Sequence, residues 1–237
     1  MLDDLVVTLL TSGYGHQSVL HELSLRVEAG KLTALIGPNG HGKTTLLRTI
    51  SGLIRPTSGE IRLGDKRISG LSAESIVELG VVHVPQGDLL FPDMTVLENL
   101  RMGAFLPGAA RQEKTALDEV YTLLPKLRDR QKQIARTLSG GERRMVGIGR
   151  GLMASGHVLM LDEPSLGLAP IVIEQIYDVI TSLRASGRSI LMVEENAMRA
   201  AAIADHVHLL DHGTLAWTGT GEDLSGRPEL VETYLGV

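Results

Sequence analysis

The chain has no cysteine, which excludes a disulfide framework and any thiolate-held metal centre and fits a cytosolic setting. Aromatic residues supply only 3% of its 237 residues, so any ring beside a motif stands out. No run of Lys and Arg is present and the net charge is −5, so a nucleic-acid partner is not expected. No apolar run approaches the ~18 residues that a membrane-crossing helix needs. Asp3 and Asp4 stand where an export signal carries positive charge, so none is expected. A role at a membrane would therefore depend on docking to a partner.

What is present points to a packed α/β domain. Hydrophobic residues make up 43% of the chain, enough for a sizeable core at this length. Short Val/Ile/Leu runs at 32–36, 81–84, 158–161 and 190–193 read as strands buried on both faces. Helical patterns at 43–51, 171–185 and 198–204 follow them, and this alternation predicts a mostly parallel sheet. Runs at 5–10, 23–27 and 60–63 are divided by Gly and Ser turns without full helices, predicting an antiparallel β-subdomain at the N-terminal side. Segment 87–137 lacks strand runs and carries helical patterns at 96–104 and 116–124. It is expected to be a helical subdomain inserted into a single domain whose core comprises 1–86 and 138–237.

Gly37-Pro38-Asn39-Gly40-His41-Gly42-Lys43-Thr44 fits the phosphate-loop pattern G-x-x-x-x-G-K-[ST], entered from a strand and left by a helix. Its backbone, with that of Thr45, is expected to wrap the phosphates. Lys43 is expected to neutralise them and Thr44 to ligate Mg²⁺. The His41 side chain reads as solvent-facing, with no role of its own. The strand at 158–161 leads into Asp162 and Glu163; Asp162 is expected to hold the metal's hydration shell while Glu163 polarises the attacking water. Gln86, after another strand end, is a candidate for the metal or water. Tyr14, between two glycines, is a candidate stacking platform for adenine.

A second anion-binding turn lies at Leu138-Ser139-Gly140-Gly141-Glu142, opening a helix. Bare backbone N–H groups and the helix dipole favour an anion before Ser139, Gly140 and Gly141. Met145, Ile148, Leu152 and Met153 recur at helical spacing and read as core. Arg143, Arg144 and Arg150 read as a solvated or salt-bridged face.

The phosphate loop, Gln86, the 138–142 turn and Leu161-Asp162-Glu163-Pro164, in this order, resemble the nucleotide-binding subunit of an ABC transporter over essentially the whole chain. The resemblance implies a P-loop ATPase in which two such subunits meet head to tail. The phosphate loop of one and the signature turn of the other then sandwich ATP. Segments 163–170, 94–103 and 233–236 are similar to branched-chain amino acid importer ATPases of the LivF type. That implies a different ATPase subunit as partner, membrane permeases docked near Gln86 and the helical subdomain, and indirectly a substrate-binding protein. The implied location is peripheral, at the cytoplasmic face of the plasma membrane.

Two departures matter. Glu195 stands where most of the superfamily has a histidine facing the γ-phosphate and LivF-type chains commonly have Gln; an ionised carboxylate there can only accept a hydrogen bond. Ala169 replaces the aspartate many members carry, although LivF-type chains share this change. The same residues leave open an ATPase for urea, another amino acid or lipopolysaccharide. They also leave open a non-transport ABC ATPase, against which the single cassette without basic extension weighs, and a subunit that binds ATP without hydrolysing it.

Overall fold

Leu32 to Ile36, apolar apart from Thr33, has every residue buried, and its alternate side chains serve two different cores. Leu32, Ala34 and Ile36 face one cluster, while Leu35 joins the other. A central strand covered on both faces follows from that pattern. Truncating Leu35 to Ala would cost about 2–5 kcal/mol.

The computed structural model describes residues 3–87 and 89–235; Gly236, in the LivF-like ending, lies outside them. The strands are β1 (Leu5–Tyr14), β2 (Gln17–Val27), β3 (Leu32–Ile36), β4 (Ser58–Leu63), β5 (Lys66–Arg67), β6 (Val81–Val84), β7 (Val158–Asp162), β8 (Ser189–Glu194), β9 (His206–Asp211) and β10 (Thr214–Gly219). The helices are α1 (Lys43–Ile50), α2 (Ala73–Glu78), α3 (Val96–Arg101), α4 (Pro107–Ala110), α5 (Glu113–Leu123), α6 (Pro125–Asp129), α7 (Gly140–Leu152), α8 (Pro170–Ala185), α9 (Ala197–Ile203), α10 (Gly221–Ser225) and α11 (Pro228–Leu235).

The larger sheet has six strands in the order β10-β9-β3-β8-β7-β6. Its strands run parallel except β10, which returns antiparallel against β9. A second, antiparallel sheet has four strands in the order β2-β1-β4-β5. It packs with α1 over one face of the large sheet, while α7, α8 and α9 cover the other. The α/β class and the antiparallel N-terminal sheet thus match the sequence expectation. β1 and β2 are longer than expected, because a tight hairpin at Gly15 (φ +58°) lets both strands continue to their shared turn. β9 and β10 escaped the sequence reading, since His206, His208, Asp211 and the exposed residues of β10 interrupt their apolar runs.

Between β6 and α7 the described residues form α3 to α6 and two short 3₁₀ turns, with a lone bridge between Thr95 and Ile134. Thr95 caps α3 through a capping box with Glu98. Among the described residues, no helix is long and apolar enough to cross a membrane.

Candidate nucleotide site

The loops after β3, β7 and β8 emerge at one edge of the parallel sheet, where ligand crevices form in such folds. Gly37 follows β3 with φ +149°, and a Cβ there would sit 2.2 Å from the Leu210 carbonyl oxygen. Only glycine lets the loop pass so close to β9. Gly42, at φ +109°, precedes α1, and no side chain caps the helix there. Its first-turn N–H groups are therefore available to an anion.

Lys43 is 4% exposed. Its Nζ donates to the carbonyls of Gly37 at 2.7 Å and Pro38 at 3.0 Å, and lies 3.8 Å from Glu163 Oε1. Burial draws its pKa below the ordinary lysine value, against the pull of Glu163. The Thr44 hydroxyl donates to Asp162 Oδ1 at 3.2 Å. Asp162 Oδ2 is buried without a hydrogen-bond partner, and burial holds the Asp162 pKa above its usual value. An orphaned carboxylate oxygen beside a hydroxyl is a hard-oxygen donor set that fits Mg²⁺.

Glu163 adopts φ +47°, a strained conformation for a non-glycine residue. Its N–H donates to the Val193 carbonyl at 2.9 Å, which ties the turn to β8. The carboxylate receives a 2.8 Å hydrogen bond from Gln86 Nε2. Burial raises its pKa, with Lys43 opposing. The structure thus brings Gln86 to Glu163. Glu194, which sequence reasoning passed over, is buried at the end of β8. It accepts from the Ser165 N–H at 3.1 Å and the Ser165 hydroxyl at 3.0 Å, fixing the segment just past Glu163.

The cleft before the loop, about 320 Å³, is lined by Asn39, Gly40, Gly42, Lys43, Thr44, Thr45, Gln86 and Glu163 among others. Ser139, Gly140 and Gly141 are not among its walls. Ser139 caps α7 in a capping box with Glu142: its hydroxyl accepts from the Glu142 N–H at 3.3 Å and donates to Glu142 Oε2 at 2.9 Å. Ser139 and Gly140 are exposed. A Cβ on Gly141 would meet Val172 Cγ1 at 2.6 Å, so that glycine lets α7 pack against α8.

Tyr14 lies outside the phosphate cleft. Its ring is 48% exposed, its hydroxyl accepts from Arg48 Nη1 at 3.2 Å, and it borders a larger groove of about 610 Å³ with His83, Pro85, Leu89 and Phe105. Glu195 is exposed and accepts from Asn39 Nδ2 at 3.2 Å. The expectation for two side chains is corrected. Of the two readings for Arg144, solvated or salt-bridged, burial removes the solvated one: it donates to the Gly87 carbonyl at 2.7 Å, because α7 packs against the segment leaving β6. His41 is half-buried against Asp211 rather than facing solvent.

The family described as "ABC transporter" matches residues 20–166 of the chain. The chain belongs to the ABC transporter family. It is 41% identical over 223 residues to the high-affinity branched-chain amino acid transport ATP-binding protein BraG of Pseudomonas aeruginosa, covering 94% of this chain and 95% of that one. It is 36% identical over 229 residues to the probable branched-chain amino acid transport ATP-binding protein LivF of Archaeoglobus fulgidus, covering 96% and 97%. Among solved structures, an ATP-binding cassette of an ABC transporter in its ADP conformation superposes with a TM-score of 0.86 at 28% identity, over 100% of both chains. A nucleotide-free cassette gives 0.85 at 27% identity, over 98% of both. The chain is therefore an ABC transporter ATPase subunit, and its family and fold imply nucleotide binding and ATP hydrolysis. Such subunits work with membrane permeases, consistent with peripheral association.

Proposed function

We propose that this ABC transporter ATPase subunit hydrolyses Mg-ATP to drive branched-chain amino acid import, as a translocase at the cytoplasmic face of the plasma membrane. The observation that carries the catalytic part is the convergence of Lys43, Thr44, Asp162, Glu163 and Gln86 on one sheet edge, with Ser139 and Gly140 exposed elsewhere. In this reading Lys43 and the loop backbone hold the phosphates, and Thr44 and Asp162 hold Mg²⁺ with help from Gln86. The metal offsets charge on the phosphate oxygens. Glu163, held by Gln86 at one carboxylate oxygen and near Lys43 at the other, orients the attacking water and takes its proton. Tyr14 stacks on adenine from beside α1, to which Arg48 ties it.

The exposed signature turn implies that each ATP is completed by the Ser139, Gly140 and Gly141 backbone of an opposing subunit, most readily a different ATPase of the same transporter. The names of BraG and LivF support the substrate class. The apolar groove beside Pro85, which Tyr14 also borders, has Leu89, Met102 and Phe105 exposed and supports a docking surface for the permease. Reconstitution with permeases, partner ATPase and binding protein in vesicles tests the reading. Leucine, isoleucine or valine should be taken up with ATP consumption. ATP-driven uptake of urea or an unrelated solute alone would refute the substrate class.

A further inference from the structure

β3 and β9 are parallel neighbours, with Ile36 opposite Leu209, so the phosphate loop after β3 and the turn after β9 leave the sheet side by side. The Gly213 N–H donates to the His41 carbonyl at 3.1 Å and links them directly. Across this seam His41 Nδ1 lies 2.9 Å from Asp211 Oδ1, and His212 Nδ1 lies 2.8 Å from the same oxygen. The two rings are 4.2 Å apart. The His212 backbone N–H also points at His41 Nδ1, at 3.2 Å. A neutral imidazole nitrogen either donates or accepts. His41 Nδ1 faces an acceptor and a donor at once, so hydrogen bonding leaves one contact unmet in either neutral tautomer.

The same atoms suit a metal ion. One donor atom from each of His41, Asp211 and His212 lies within 4.8 Å of the others. Bonds of ~2.0–2.1 Å to a tetrahedral ion place its ligands ~3.3 Å apart. Two imidazoles and one carboxylate suit zinc and its neighbours in the first transition row, whereas Mg²⁺ favours oxygen ligands such as Thr44 and Asp162. With the His212 side chain 81% exposed, an ion has an open approach.

We propose that His41, Asp211 and His212 form a binding site for one divalent transition-metal ion of the zinc class, which clamps the phosphate loop to the β9–β10 turn and slows nucleotide release. The site does not depend on which solute the transporter carries.

Titrating zinc into the metal-free full-length chain by calorimetry should give one ion per chain. His41→Ala and His212→Asn should each weaken binding at least ~10-fold. Asparagine tolerates the left-handed backbone that His212 adopts at φ +45°, so that variant stays informative if His41→Ala fails to fold. At a zinc concentration that fills the parent but not the variant, zinc should also raise the Tm of the parent and slow release of a fluorescent ADP several-fold with Mg²⁺ in excess, and have a clearly smaller effect on both for His212→Asn. Absence of zinc binding, or binding of equal strength in His212→Asn, overturns the site. Zinc bound with unchanged ADP release overturns the clamp.

Discussion

Lys43, Asp162 and Glu163 are each no more than 6% exposed, while Ser139 and Gly140, proposed above to meet a partner's ATP, stand in solvent. The difference shows in how each is held. On the buried side, charges are packed against one another, with a strained φ at Glu163 and an unpartnered oxygen on Asp162. On the exposed side, the Ser139 N–H and hydroxyl are satisfied locally by Glu142. A half-site built for catalysis carries unfavourable burial that its ligands relieve, whereas a half-site built for recognition remains stable while it waits for a partner.

The strongest test of this contrast is Glu163→Gln. Loss of the proton acceptor should slow hydrolysis about 10²–10⁴-fold while nucleotide still binds, measured as single-turnover phosphate release beside equilibrium ATP binding. Ser139→Arg probes the opposite half. It should leave ATP binding to the isolated chain largely intact yet abolish ATP-dependent association with a partner subunit in sedimentation. Weak ATP binding by the isolated variant would mean the two halves are not separable. A smaller effect is expected from Glu195→His, which exchanges an acceptor for a donor beside Asn39. Turnover of the assembled transporter should rise several-fold, and no gain would show that Glu195 does not limit this site.

The smallest effect is on stability. The Glu163 pKa is raised in the folded chain, so the folded state binds that proton more tightly than the unfolded one. This contribution to stability is fully present below the ordinary glutamate value and is lost as pH rises through the raised one. At neutral pH, Glu163→Gln should therefore raise Tm while it removes activity, and the gain should shrink as pH is lowered. For the parent, turnover should begin to fall at a higher pH than an exposed glutamate would dictate.

The buried half was largely legible because its signals are local. A strand end, a glycine-rich loop and a helix start are contiguous at Ile36 to Lys43, and Asp162 and Glu163 close an apolar run. What escaped notice depends on the order of strands in the sheet. Gln86 reaches Glu163 because β6 lies next to β7. Arg144 is buried because α7 crosses the segment leaving β6. His41 meets Asp211 because β9 flanks β3. No periodicity encodes these meetings, and polar residues within β9 hid the strand itself.

The capping box at Ser139 has one more consequence. Its hydroxyl hydrogen already points at Glu142, so it can reach an incoming phosphate oxygen only by leaving that carboxylate. Glu142 is not stranded when this happens, because Arg130 holds its other oxygen at 2.8 Å from beyond the end of α6. In the proposed dimer, recruiting a neighbour's ATP sets two acceptors competing for one hydroxyl hydrogen, worth about 1 kcal/mol, and a displaced Glu142 falls back on an arginine of the helical segment.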